Sequence, residues 1–151
     1  RLVRTIRDSI VSFEQRLKDG YIRNVGKDSI RAKGVLENCN KAIKAALSLP
    51  INTDTSNTIC RELYEALRQC CQAVGYVKGY KFVLHEAIYC FLSEKLNEPT
   101  IAQIFNRYRK LRNAINYHGS SLSMENAKVA QQQIPQIITQ LKSKYLSSFQ
   151  P

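Results

Sequence analysis

Acidic residues are scarce in this chain of 151 residues. Lys and Arg outnumber Asp and Glu by 23 to 12, for a formal net charge of +11 and a pI near 9.6. That imbalance exceeds what solubility needs and makes polyanions the natural partners of the surface, nucleic acid foremost, although membrane headgroups and acidic proteins carry the same attraction. Long apolar runs are missing too: no stretch approaches the length of a transmembrane helix, and the basic start at Arg1 lacks the apolar segment of a signal peptide, so no membrane partner is expected. The five cysteines, Cys39, Cys60, Cys70, Cys71 and Cys90, form no C-x-x-C pair and have no histidines at metal spacing. Their odd number and placement argue against a zinc site or a disulfide framework. At mostly apolar helical positions they read as small hydrophobes in a reducing cytoplasm. P-loop, dinucleotide fingerprint and nucleophile elbow are all absent, and no cofactor is expected.

What is present is helical periodicity. Hydrophobic residues make up 44% of the chain, enough at this length for one core and a single domain over 1–151. Leu2, Val3, Ile6, Ile10, Phe13 and Leu17 predict a helix over 2–18, followed by Gly20. A second runs from about Asp28 to Leu47, capped by Asp28 or Ser29, with Val35, Leu36, Cys39, Ile43 and Leu47 as its stripe and Pro50 closing it. Residues 48–57 read as a loop. A third helix, Thr58 to about Lys78, carries Leu63, Tyr64, Leu67, Cys70, Cys71 and Val74, although Gly75 weakens its last turns and Gly79 marks a turn or kink. Phe82, Ile88, Tyr89 and Leu92 continue the helical signal to about Leu96, and Pro99 ends it.

Thr100 is then a suitable cap for a helix whose stripe is Ile101, Ile104, Phe105, Tyr108, Leu111 and Ile115. A last helix from about Ser123 to Tyr145 buries Ala127, Ala130, Ile134, Ile138, Leu141 and Tyr145, and Pro135 should kink or split it. No length of sequence alternates as a strand would, and no repeat is visible. The expected fold is all-α: an antiparallel up-and-down bundle of four to five main helices.

One stretch reads as chemistry: RYRKLRNAINYHG, Arg107 to Gly119. Arg107, Arg109, Lys110 and Arg112 would attract a phosphate backbone and release its counterions. Arg112 offers a planar fork for a phosphate, and His118 a group that exchanges a proton near neutral pH. On a regular helix Arg112 and Asn116 share a face, whereas His118 lies roughly 120° from Arg112. If Arg112 and His118 converge at the helix end or across two chains, an imidazole base acting on the 2′-hydroxyl of RNA and a guanidinium on the phosphate make a metal-free cleavage plausible, with Asn113 and Asn116 orienting the partners. Cleavage by this route selects RNA, which alone has the internal nucleophile. The plain alternative is a helix end whose basic residues and following glycine satisfy the last carbonyls.

Three further features have both a plain and a functional reading. His85, within FVLHEAIYCF, reads better as a satisfied packing histidine than as a catalyst. Tyr76, Tyr80, Phe82, Tyr89 and Phe91 fit a core or a dimer seam better than a base-stacking surface. Arg1, Arg4 and Arg7 widen the basic surface or are simply a solvated face.

The segment LRNAINYHG resembles the signature of the HEPN family of small helical bundles, an Arg, a polar residue and a His after a short spacer, matched by Arg112, Asn113 and His118. The upstream segment ELYEALRQCCQAVGYVKGYKFVLHEAIYCFL is also similar, so that the resemblance covers roughly Arg61 to Ala127. It implies a bundle that forms a homodimer and brings two motif copies together in a basic cleft. Active members are metal-independent endoribonucleases, many of them toxins or defence effectors paired with a nucleotidyltransferase-type antitoxin. Carried over, Arg112 positions the scissile phosphate, His118 transfers protons and Asn113 supports the site. Around them, the basic stretch makes Arg107, Arg109, Lys110, Asn116 and Tyr117 the expected contacts to RNA or a nucleotide. Other members bind nucleotides or partner proteins without cleaving, and that is the second expectation for this chain.

Overall fold

The computed structural model describes residues 11–118 and 124–149, with the side chains of Tyr117 and His118 outside that description. In chain order the elements are α1 (Phe13–Asp19), β1 (Ile22–Asn24), α2 (Ser29–Ser48), α3 (Ser56–Lys78), β2 (Tyr80–Phe82), α4 (Ala87–Cys90), a π-helical turn (Phe91–Lys95), α5 (Pro99–His118), α6 (Met124–Tyr145) and a 3-10 turn (Ser147–Phe149). The chain is mostly helical, as the periodicity predicts, and α3 is its axis. Leu63, Tyr64, Leu67, Cys70, Cys71 and Val74 are all buried there, and α3 packs against α2, α6 and α5. All five cysteines are free and buried.

Local sequence sets the boundaries. Ser12 Oγ accepts the Gln15 N–H at 3.0 Å to open α1, and Asp28 Oδ1 accepts the Arg31 N–H at 2.9 Å to open α2; each satisfies an otherwise orphaned donor. Before α3 the chain is a hydrogen-bonded turn: Asn52 Oδ1 accepts from the N–H groups of Asp54 (2.8 Å) and Thr55 (3.0 Å), and the buried Ser56 hydroxyl donates to Asn52 O at 2.6 Å.

Several expectations need correction. The first helix is described only as α1, because residues 1–10 lie outside the described residues, and with them Arg1, Arg4 and Arg7. The buried face of α2 is Ala32, Leu36, Cys39 and Ala46, while Leu47 is 48% exposed. Small alanines, rather than the bulkier Leu47, are what α2 turns inward.

After Gly79 the chain forms a strand before the expected helical signal resumes in α4 and the π-helical turn. Gly79 closes α3 in the left-handed region at φ 95°, and β2 follows at once. It pairs antiparallel with β1 in the register Ile22 with Phe82 and Asn24 with Tyr80. Gly75 makes this possible: a Cβ there would stand 2.6 Å from Phe82 Cε2, so the ring of Phe82 lies directly on the last turn of α3. Phe82 also meets Phe91 at 5.0 Å between ring centroids, and Phe91 meets Phe13 and Tyr80. These rings belong to the core, not to a stacking surface.

Two prolines lie at or within the last long helices. Pro99 opens α5 and does not merely end what precedes it; at a helix start its missing N–H costs nothing. Pro135 lies inside α6, which runs through it without dividing. Ile134, Ile137, Ile138 and Leu141 are buried around it and hold the helix to the core. Tyr145, expected in the buried face, is half-buried, and its hydroxyl donates to Glu98 Oε2 at 2.8 Å beside the Lys144 ion pair.

Candidate functional site

The α5 stripe is as expected, with Ile101, Phe105, Tyr108 and Ile115 buried and Ile104 and Leu111 packed on the core. This fixes the rotation of the helix and therefore where each motif side chain lies. Lys110 and Asn116 are exposed. Arg107 is exposed but engaged: its Nη2 donates to Gln133 Oε1 at 2.5 Å, and its guanidinium carbon stands 5.1 Å from the Tyr108 ring centroid. The Tyr108 hydroxyl donates to the same Gln133 oxygen at 2.7 Å, so this part of the basic run joins α5 to α6.

Arg109, Arg112 and Asn113 are half-buried. Arg109 Nε donates to Asn106 Oδ1 at 2.9 Å. Arg112 Nη1 donates to Asn113 Oδ1 at 3.3 Å, and its guanidinium carbon stands 5.8 Å from the centroid of the Tyr64 ring. Of the three residues expected to be catalytic, Arg112 and Asn113 are thus in contact. The α5 backbone stays helical through His118, whose side chain, like that of Tyr117 and the whole of Gly119, lies outside the described residues.

Beneath Arg112 is a residue that sequence reasoning set aside. The Tyr64 hydroxyl lies 3.1 Å from His85 Nδ1, so His85 is satisfied, as a packing histidine should be, yet it is only half-buried and lies beside the motif arginines. Burial together with the charges of Arg68 and Arg112, and less of Arg109, lowers its pKa to about 4 against the opposing pull of Glu65. His85 is therefore neutral at pH 7. Burial also pushes the Tyr64 phenol well above its ordinary range, against the pull of Arg68, Arg109 and Arg112, so its hydroxyl keeps its proton.

Glu65 is the carboxylate of this region. Burial would raise its pKa, but hydrogen bonds from Arg68 and Gln69 and the Arg68 charge hold it below the usual value. Arg68 forms a close two-point pair with it, and Gln69 Nε2 donates to it at 2.8 Å. Nothing in the local sequence announces that Arg68 and His85 share a neighbourhood with Arg112. The packing of α3 against α5, and the bend after β2, make that juxtaposition.

Among the described residues, no three His, Cys, Asp or Glu side chains group to hold a metal ion, and no helix is long and apolar enough to cross a membrane. No family model, curated protein or solved structure matches the chain.

Proposed function

We propose that this protein is a HEPN-type helical module that engages RNA through its phosphates along α5 and cleaves it without a metal. The reading rests on the RNAINYH motif and the basic balance of the chain. The observation that carries it is the placement of Arg112, bonded to the adjacent Asn113 and laid over the Tyr64 ring. Asn113 holds one guanidinium donor and the Tyr64 ring lies beside the group, which leaves further donors of the fork for a phosphate.

In this mechanism His118 removes the proton of the 2′-hydroxyl, and the 2′-oxygen attacks the adjacent phosphorus. The bond to the 5′-oxygen breaks, that oxygen takes a proton from water, His118 gives its proton up to solvent, and a 2′,3′-cyclic phosphate remains. Arg112 stabilises the charge that gathers on the phosphate oxygens. The large angle between Arg112 and His118 on one helix makes a homodimer cleft, with each copy supplying part of the site, the natural arrangement. A cytoplasmic toxin or defence effector, held in check by a nucleotidyltransferase-type antitoxin, is the setting the family resemblance suggests.

End-labelled RNA incubated with the purified protein in EDTA tests the reading, with fragments ending in 2′,3′-cyclic phosphate as the expected product. A second reading, a module that binds RNA, nucleotide or a partner protein without cleaving, follows from the members of the resembling family that bind without cutting. Salt-sensitive RNA binding with no fragments would establish it.

A further inference from the structure

The ribbon of β1 and β2 has one face on the core and one face toward solvent. Ile22 and Phe82, opposite each other in the register, are buried, and Tyr80 beside them packs on Phe13 and Phe91. Side chains alternate across a strand, so Tyr21, Arg23 and Val25 along β1 and its flanks share the outer face with Lys81 and Val83 along β2, and all five are exposed. Two backbone bonds fix this face: Val83 N–H donates to Tyr21 O at 2.9 Å, and Val25 N–H donates to Gly79 O at 2.8 Å. Between them Arg23 stands directly opposite Lys81, at the spacing of about 5 Å between Cβ atoms that such pairs have. Like charges so placed destabilise a ribbon, and no counter-charge offsets them here. The ion pairs among the described residues are those of Arg16 with Glu86, Arg68 with Glu65 and Lys144 with Glu98. The acids that flank β1 in the chain are engaged elsewhere, Asp19 with Gln15 Nε2 at 2.9 Å and Asp28 with the start of α2. Arg16, held by Glu86, lies over one side of the Tyr21 ring, 5.5 Å from its centroid, and Tyr21 remains 37% exposed.

We infer that the outer face of the β1–β2 ribbon binds single-stranded RNA, with Arg23 and Lys81 holding its phosphates and Tyr21 carrying a base. The inference rests on the reading of the chain as an RNA-engaging module for the identity of its ligand, and its surface shares no residue with the motif on α5. Two adjacent cations call for an anion that meets both, which a phosphodiester backbone supplies with release of its counterions. An aromatic ring one step along the ribbon, roughly 7 Å away, meets the face of a base only where that base is unpaired. Charge thus selects a polyanion, and the ring selects the single strand. A membrane surface would instead call for a continuous apolar face, whereas here the cations separate Tyr21 and Val83 from Val25.

The test is the binding of a labelled single-stranded 2′-O-methyl RNA, which lacks the hydroxyl nucleophile and so survives intact, followed by fluorescence anisotropy over a salt series. Arg23→Gln combined with Lys81→Gln is expected to weaken binding about tenfold and to reduce the slope of log affinity against log salt by about 1.4, since each single-strand phosphate contact carries about 0.7. Tyr21→Ala is expected to weaken binding about tenfold with the slope unchanged, and to matter little for a duplex of the same sequence. Lys44→Gln, on the exposed face of α2, leaves affinity and slope as they are. Should Tyr21→Ala disturb the ribbon, the double charge variant still decides, because removing opposed like charges does not cost the fold. A folded double variant or Tyr21→Ala chain that binds like the native one overturns the ribbon site, even if the protein cleaves RNA. A native chain that ignores the oligonucleotide but binds vesicles of anionic lipid through Arg23 and Lys81 overturns it as well. Loss of binding in the double variant of a protein with no nuclease activity upholds the site and removes the cleavage.

Discussion

The guanidinium of Arg112 lies over the ring of Tyr64, with 5.8 Å between its carbon and the ring centroid. This contact ties the motif arginine of α5 to the central helix α3, which α5 also meets through Phe105, 5.6 Å from the Tyr64 ring between centroids. Through the Tyr64 hydroxyl it also reaches His85, 3.1 Å away. A cation over an aromatic face is worth about 0.5–2 kcal/mol according to its exposure, so the motif arginine is held in place by the core and not by solvent.

The low pKa of His85 makes stability depend on pH. The unfolded chain takes up a proton there near 6.5, the folded chain near 4, so between those values the unfolded state binds more protons and stability falls with falling pH. Between about pH 7 and about pH 5 the native protein should lose about 1 kcal/mol more than His85→Phe, a figure discounted for the partial exposure of the ring. Urea unfolding of both proteins at both pH values measures it. Equal losses would mean that His85 titrates normally.

Gly75 lets Phe82 rest on α3. Gly75→Ala brings a Cβ to 2.6 Å from the Phe82 ring and 3.1 Å from Tyr80 O, and the ring cannot retreat easily because it packs against Phe91. Despite alanine's better helix propensity, unfolding should show a net loss of about 1–2 kcal/mol. A stabilised variant would show that the contact between β2 and α3 is loose.

The exposed Lys110 and the engaged Arg107 should behave differently. Lys110→Ala is expected to weaken RNA binding about equally for all sequences and to reduce the slope of log affinity against log salt by about 1. Arg107→Ala removes a bond to Gln133 that joins α5 to α6 and should in addition lower the unfolding midpoint. Filter binding over a salt series and thermal unfolding separate the two effects.

The helical face of α5 was legible because Ile101, Phe105, Tyr108 and Ile115 repeat at the helical period, and the cap at Asp28 because its side chain is suited to that position. Residues 80–86 were not, nor was the π form of the helical turn that follows, although Ile88, Tyr89 and Leu92 do lie in helix. Tyr80 to Phe82 form a strand only because Ile22 to Asn24 pair with them, and Phe91 to Lys95 take a π turn within the core; neither is written in local propensity. Arg112 and Asn113 could be picked from the motif itself. His85 and Arg68 could not, since a histidine among apolar residues and an arginine three positions from a glutamate are both ordinary on their own. Their nearness to Arg112 is set by tertiary packing.

The central claim is that Arg112 and His118 together cut RNA, and cleavage of labelled RNA in EDTA by the native protein, Arg112→Ala and His118→Ala tests it most directly. The account predicts 2′,3′-cyclic ends from the native protein and a loss of about a hundredfold or more in rate for each variant, with helical content unchanged by circular dichroism. Folded variants that cleave as fast as the native chain would contradict it.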